Sequence, residues 1–546
     1  FQSLEYRFVR TNVPSLENLD EQQRDIQRES FDSFSRVDYV VNPNNRLTVS
    51  FSVFPQKFDF FNLNTFNPAD TTANFHQRGW FLALNEQAAF TSGALLQSSF
   101  SFKQFDGDIF GNSAAPYRIT PDRNFGGWFD RQHRESRRYE WLEVYHFAPR
   151  QWHGSHGFKA GFNFSHTSFA GTDTSNPVSI IRENGTTYQL LEYLGDGTLG
   201  QRQNEYSAFV QNKWSVNRRV TFDLGLRYDR DQIGAQNNFA PRLGFVFLPT
   251  SAERTVVRGG IGLFYDKIPL NIGAFEQYQN LIVTTFASDG VTVGDGPRLF
   301  RNTSPSDLKN PYSVAGNLQV DHQVTQRLLL RFGYEERHTR RDFIVEPVPN
   351  QAVSGGAVLL LNTGRSLYRE FQAVARLRLQ EGRNIFLSYV RSQAQGDLND
   401  YNTYFGNLRH PVIRANEYGK QPFDAPNRLL FWGDFGLPYD IVATPVLDWR
   451  SGFPFSLLNE QQDFVGPRNG GGRFPQLMTL DLLVTKGLRI PFRGKKYKGR
   501  VGLTIFNITN HWNPHDVQNN LASPQFGTFY NSPDRSFRTK FEFVKF

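Results

Sequence analysis

The sequence predicts an all-β protein: one large antiparallel transmembrane β-barrel with short periplasmic turns and long extracellular loops. Three observations predict it. Apolar and polar residues alternate in segment after segment, tight turns alternate with long connections, and aromatic residues make up 15% of the chain. Side chains alternate across a strand, so each such segment has one dry and one wet face. No stretch approaches 20 uninterrupted apolar residues, and mean hydropathy is -0.51. The chain therefore shows no helix that would span a bilayer, whereas a barrel hides its apolar band in alternation.

RVTFDLGLRYDR (219–230) sets the pattern. Val220, Phe222, Leu224, Leu226 and Tyr228 share one face, and Thr221, Asp223, Gly225, Arg227 and Asp229 share the other. LTVSFSV (47–53) and FKAGFNF (158–164) repeat it. So do VVRGGIGLFY (256–265), with Arg258 on the polar face, FQAVARLRLQ (371–380), with Arg376 and Arg378 on that face, and GRVGLTIFN (499–507).

Tight turns are expected at NPNN (42–45), TSG (91–93), SVNRR (215–219), LPTSAER (248–254), LQEGR (379–383) and LPYD (437–440). Between them lie long connections at 106–136, 171–204, 266–311, 395–427 and 459–476. About nine hairpins, an opening strand near Leu4–Val13 and a closing strand at Phe537–Phe546 give about 20 strands, with both ends on the short-turn side. A sheet of that size closes or splits, because an open one exposes two long edges. The dry face then meets lipid, and the polar face lines a lumen.

Composition excludes other classes. The net charge of +8 comes from 60 Lys and Arg spread along the chain, not gathered in the stripe that nucleic-acid binding needs. The richest run, RGKKYKGR (493–500), is read as an exposed turn. There is no cysteine, so neither disulfides nor thiolate metal sites exist in this sequence.

NEYSAFVQNKWSVNRRVTFDLGLRYD (204–229), NNFAPRLGFVF (237–247) and TVVRGGIGLFYDK (255–267) resemble the barrel of TonB-dependent outer-membrane receptors. NPYS (310–313), FNITNHWNP (506–514) and SPQFGTF (523–529) extend the likeness over essentially the whole chain. The nearest group is the Oar-like class, whose members carry a carboxypeptidase-regulatory-like domain in front. The resemblance implies a 22-stranded barrel of the Gram-negative outer membrane, occluded by an N-terminal plug that answers to the TonB complex. FQSLEYRF begins within a strand, so the plug and the first strands are expected outside residues 1–546, from the same gene product or a separate chain. The resemblance also implies a terminal aromatic read by the barrel-assembly machinery. Phe546 is the candidate, with a bulge near Val544 needed to bring Phe541 and Phe543 into its parity.

The lumen-facing candidates are Arg227, Asp229, Arg258, Arg376 and Arg378, in contact with a plug or a passing solute, or simply part of a wall that water requires to be polar. HWNPHD (511–516) is read as a polar loop, since no further ligands accompany His511, His515 and Asp516. The DGD and GDG triplets at 106–108, 195–197 and 294–296 lack the later acidic ligand of a calcium loop. No convergent catalytic set is present, and no cofactor is implied. Two readings follow. One is the barrel of a transporter importing a large or scarce solute through a plug-gated lumen; the other is a non-transporting outer-membrane scaffold that docks partners through its external loops.

Overall fold

The computed structural model describes residues 1–13, 25–350, 355–379, 383–492 and 495–544. Among them, twenty principal strands each pair antiparallel with the next in sequence. The first seven are β1 (Gln2–Asn12), β2 (Asp25–Asn42), β3 (Asn45–Val53), β4 (Ala73–Ala89), β5 (Leu95–Gly111), β6 (Asp130–His146) and β7 (Ser155–Ser175). Next come β8 (Thr198–Ser215), β9 (Val220–Asp231), β10 (Asn238–Phe247), β11 (Thr255–Tyr265), β12 (Tyr312–Gln323) and β13 (Leu328–Asn350). The sheet continues with β14 (Gly355–Arg378), β15 (Asn384–Asp397), β16 (Asn427–Gly433) and β17 (Ile441–Arg450). It ends with β18 (Leu477–Phe492), β19 (Lys495–Phe506) and β20 (Ser536–Val544). Nothing but antiparallel neighbours is needed, because tight turns join strands in hairpins.

The outward face is the apolar one. Leu224, Leu226 and Ile261 are 40%, 45% and 57% exposed, as residues that lipid covers would be. Aromatic rings bound this band. Trp80, Phe102 and Tyr139 pack in series at 4.6 and 4.7 Å near the long-loop side, and Tyr228 lies 5.3 Å from Phe239. Towards the tight turns, Tyr145 meets Phe147 at 4.8 Å and Trp214 meets Phe222 at 5.9 Å. Amphipathic rings favour the two interfaces of a bilayer.

The strands are longer than alternation indicates. Asp106–Gly111 continue β5, Asp130–Ser136 open β6, Gly171–Ser175 close β7 and Thr198–Asn204 open β8. All were expected within long connections. Above the bilayer lipid no longer demands an apolar outer face, and the inner face is covered by the loops, with Ile109, Gln132, Asp173 and Leu199 buried, so the ladder persists while the apolar alternation stops. Short strands also appear inside the connections. Tyr117–Ile119, Val178–Ile181, Thr187–Leu194, Asn280–Phe286 and Val293–Thr303 pair in that order, and the last runs parallel to the start of β14. They form the scaffold of a head above the barrel. Not every connection on this side is long: residues 232–237 join β9 to β10 in a short span.

RGKKYKGR is corrected in the same way: Lys495–Arg500 belong to β19 and pair with β18, and residues 493–494 lie outside the described residues. Pairing of β20 with β19 runs unshifted to Val544, so no bulge occurs up to that point, and Phe546 lies outside the described residues. Among the described residues no ladder joins β1 to β20. Loops cross that seam instead. Thr65, between β3 and β4, donates its backbone N–H and hydroxyl to Asp516, between β19 and β20, at 3.1 and 2.8 Å. Ser523 donates to Asp122 at 2.5 Å.

Candidate functional site

The long connections fold over the barrel mouth into a roof with its own apolar core. One cluster gathers Ile268, Phe275, Tyr278, Val345, Leu360, Tyr401 and Phe405; a second gathers Ile109, Tyr117, Phe129, Val178, Ile180 and Leu191. These side chains come from at least four separate connections, so the roof is held by burial between loops and not within any one of them.

The centre of the roof is a strap, residues 398–426, between β15 and β16. It docks on the inner ends of β6 and β7, which stand nine strands away in the order of the sheet (15 − 6 and 16 − 7), nearly opposite in a sheet of twenty. Local chemistry shapes it. Asp400 caps a one-turn helix, Tyr401–Phe405, by accepting from the Asn402 N–H at 2.9 Å. Asn399 donates to the carbonyls of Val345 and Arg414 at 2.7 and 2.6 Å, and Tyr401 donates to the Asn271 carbonyl at 2.9 Å.

Arg409 latches the strap. Its guanidinium donates to Asp173 at 2.5 Å, lies 3.5 Å from Asp130 and donates to Ser175 at 3.3 Å. The Phe405, Tyr278 and Tyr193 rings lie 5.0, 5.8 and 6.0 Å from it. Arg409 is 7% exposed, Asp130 1% and Asp173 0%. A charge removed from water to this degree is tolerable only when paired and hydrogen-bonded. Gln132 bridges Asp130 at 2.5 Å and the Gly406 carbonyl at 3.1 Å, and Arg134 donates to Asn407 at 2.8 Å and to Gly406 at 3.2 Å. Burial and the neighbouring Asp173 carboxylate push the Asp130 carboxyl up to about 7, against the pull of Arg409. Burial holds the strap's His410 below the ordinary histidine range.

The backbone behind Asp173 is equally constrained. The Asp173 N–H donates to the Gly197 carbonyl at 2.9 Å. Gly197 has φ +64°, and a Cβ there would stand 2.1 Å from the Asp173 carbonyl oxygen. Only glycine fits both demands.

The five arginine and aspartate candidates of the polar face fall into three separate places. Arg227 donates its Nε to both carboxylate oxygens of Asp229 at 2.9 Å. Both lie on the face of β9 opposite to Leu224 and Leu226, and Arg227 borders a wall concavity of about 720 Å³ shared with Lys159, Asp223, Arg242 and Arg337. Arg258 and Arg331 converge on Asp321 at 2.7 Å each. Arg376 lies 5.8 Å over the Phe386 ring, and Arg378 pairs across from Asn384 near the tight-turn rim. The latch residues were not singled out in the sequence, because Arg409 lies in a loop and Asp130 and Asp173 lie in strand ends whose sequence has no apolar alternation to mark them. The one trace is that NLRHP ends a polar loop in which an arginine follows the helix-capping Asp400 by nine residues, which says nothing about its partners.

His511 bonds Asn513 at 3.0 Å and Asp516 bonds Thr65, so these two are occupied as loop ties. Among the described residues no three His, Cys, Asp or Glu gather as a metal site.

Comparison with known proteins agrees with this architecture. Residues 14–265 match the family model for the TonB dependent receptor-like β-barrel, and residues 232–466 match that for an outer membrane β-barrel domain. The chain is 21% identical over 380 residues to the TonB-dependent transporter Oar of Myxococcus xanthus, an alignment covering 55% of this chain and 35% of that protein. The chain thus spans about a third of the length of this curated relative. Its fold is similar to that of the outer membrane transporter YddB from Escherichia coli, with TM-score 0.71, 13% identity, and coverage of 99% of this chain and 72% of that one. The siderophore receptor PirA from Acinetobacter baumannii gives TM-score 0.68 at 13% identity, covering 99% and 74%. Strand order, apolar outer band, loop head and sequence matches agree: this chain has the fold of a large outer-membrane β-barrel and is similar to the barrels of TonB-dependent receptors, the Oar transporter among them.

Proposed function

We propose that this barrel imports a large or scarce solute across the outer membrane, with its loop head as the capture surface and the strap 398–426 as an outer gate. The observation that carries this reading is the latch: a loop rooted at β15–β16 reaches the opposite wall, where a buried ion cluster adds to the apolar packing of Tyr401 and Phe405. A structural tie between neighbouring loops would not need to cross the mouth. Arg227, Asp229, Arg258, Arg376 and Arg378 line the lumen in this reading, where paired charges keep the wall wet without presenting a single sign of field.

A wide barrel is not filled by its own side chains. Import through it therefore calls for a plug seated in the lumen and for energy delivered to that plug by the TonB complex. Lipid around the apolar band and the barrel-assembly machinery complete the partners. Nucleic acid has no place among them.

The test is genetic. Strains lacking this gene, or lacking TonB, are grown with iron chelates, oligosaccharides or peptides as the limiting nutrient. The reading expects one nutrient class whose use is lost in both strains and restored by the gene. A gene deletion that spares every class lost without TonB contradicts it.

A further inference from the structure

A set of cations gathers on the outward face of β13–β15, immediately above the lipid-facing rings. Phe332, Tyr334, Phe371 and Tyr389 are exposed on that face. The ladders continue it upward: Arg369 stands opposite Glu336, Arg340 opposite Arg365, and Arg391 opposite Phe371. The short strand Tyr418–Lys420 extends the same face, with Lys420 opposite Gln395, and the Arg365 guanidinium lies 4.7 Å over the Tyr418 ring. A concavity of about 470 Å³ opens here between Tyr334, Arg369, Phe371, Arg391 and Lys420, with Glu370 and the Arg473-paired Asp424 also in its lining.

Among the described residues, one of these cations has a carboxylate partner. Glu336 lies 3.4 Å from Arg369, but it also accepts from Tyr334 at 2.5 Å and meets His338 at 2.6 Å. Arg340 and Arg365 face one another across the ladder, a like-charge pair that costs stability on a bare sheet. The outer face of β4–β6 solves the same position differently. One step above its own rings, Arg78 pairs with Asp108 at 3.1 Å, His133 with Asp108 at 2.6 Å and Arg137 with Glu135 at 3.7 Å. On β13–β15 the described residues supply one such pair, Arg369 with Glu336, and leave the compensating charge for Arg340, Arg365, Arg391 and Lys420 unfilled.

We propose that it comes from the membrane: this face binds a phosphate-bearing lipid headgroup of the outer leaflet. The acyl chains lie along Phe371, Tyr334 and Tyr389, and the phosphates sit among Arg365, Arg369, Arg391 and Lys420. Guanidinium groups suit phosphate because they donate two parallel hydrogen bonds. Basic clusters at the edge of a bilayer attract anionic lipid for the same electrostatic reason. The inference rests on the outer-membrane placement of the barrel and not on transport.

The test uses the full chain, delipidated in a neutral detergent, with bound ligand counted by native mass spectrometry. The probes are diphosphoryl lipid A, fully dephosphorylated lipid A and inorganic phosphate. Two double variants remove equal charge from opposite faces: Arg365→Gln with Arg391→Gln outside, and Arg376→Gln with Arg378→Gln inside. The expected result is retention of diphosphoryl lipid A by the unaltered chain, about tenfold weaker retention by the outer variant and none lost by the inner one. Inorganic phosphate binding as tightly as the lipid would make free phosphate the ligand and overturn the proposal. Equal retention by the outer variant would overturn it too. Heat-modifiable gel mobility checks folding; should the outer variant fail to fold, the phosphorylated and dephosphorylated lipids compared on the unaltered chain decide, and equal binding overturns the proposal.

Discussion

Arg409 and Asp173 are 236 positions apart in the chain, yet the guanidinium of one donates to the carboxylate of the other at 2.5 Å inside the loop head. The contact joins a strap rooted on one side of the barrel to the wall on the other. A few buried charges thus join the apolar core in holding the strap, and each can be removed separately.

Replacing Arg409 by Met leaves Asp130 and Asp173 buried without their guanidinium. Breaking such a pair costs about 3–5 kcal/mol, enough to favour the undocked strap. The chain has no cysteine, so a nitroxide on Asn402→Cys, an exposed strap position, reports docking alone. Its spectrum is expected to change from mostly immobile to mostly mobile in the Arg409 variant. An unchanged spectrum would show that the roof core holds the strap without the latch.

Protonation shifts the same equilibrium. Docked, Asp130 titrates near 7; undocked and hydrated, it returns to about 3.9. The docked state therefore binds the proton more tightly, and docking weakens as pH rises from about 4 to about 7, then levels off. Buried His410 acts in the opposite sense, since its folded value is depressed and acid must charge it. The difference between the unaltered strap and Asp130→Asn isolates the carboxyl: the mobile fraction of the Asn402 label should climb from pH 5 to 7 in the first relative to the second. Parallel curves would remove Asp130 from the gate.

The Gly197 turn behind Asp173 gives a backbone test. Gly197→Ala places a Cβ into the Asp173 carbonyl and forces a residue with φ +64° to carry a side chain. We expect the same loosening of the strap as in the Arg409 variant, with barrel folding retained. An immobile label in this variant would contradict the account of how Asp173 is held.

Face assignment is tested on β9. Leu226→Arg puts a charge into the apolar band and should cost about 2–4 kcal/mol of folding stability in lipid vesicles. Asp223→Asn, on the other face, should stay within about 0.5 kcal/mol. Equal costs would mean that the two faces are not divided between lipid and water.

Those two faces were legible in the sequence because the bilayer enforces them. Val220 to Tyr228 alternate since lipid penalises every polar residue on one side, and the twenty strands and tight turns follow from repeating that pattern. Beyond the bilayer the constraint lapses. Asp106–Gly111 and Thr198–Asn204 are strand without alternation, so the sequence reads them as loop. The latch was illegible for a further reason: Asp130 and Asp173, on the paired ends of β6 and β7, meet Arg409 only when the distant strap folds over them, and each alone is an ordinary loop or strand-end charge. Arg227 and Asp229 were visible as a polar pair two residues apart, which their shared face and 2.9 Å contacts express directly.

The central claim is that this barrel is the wall of a gated transporter. The most direct test is to extract the protein from native outer membranes in mild detergent and determine its intact mass, together with the identity of anything bound. The account predicts a plug domain, in the same polypeptide or as a co-purifying chain, seated in the barrel. A native barrel that travels with no plug and conducts as an open pore in planar bilayers would contradict it.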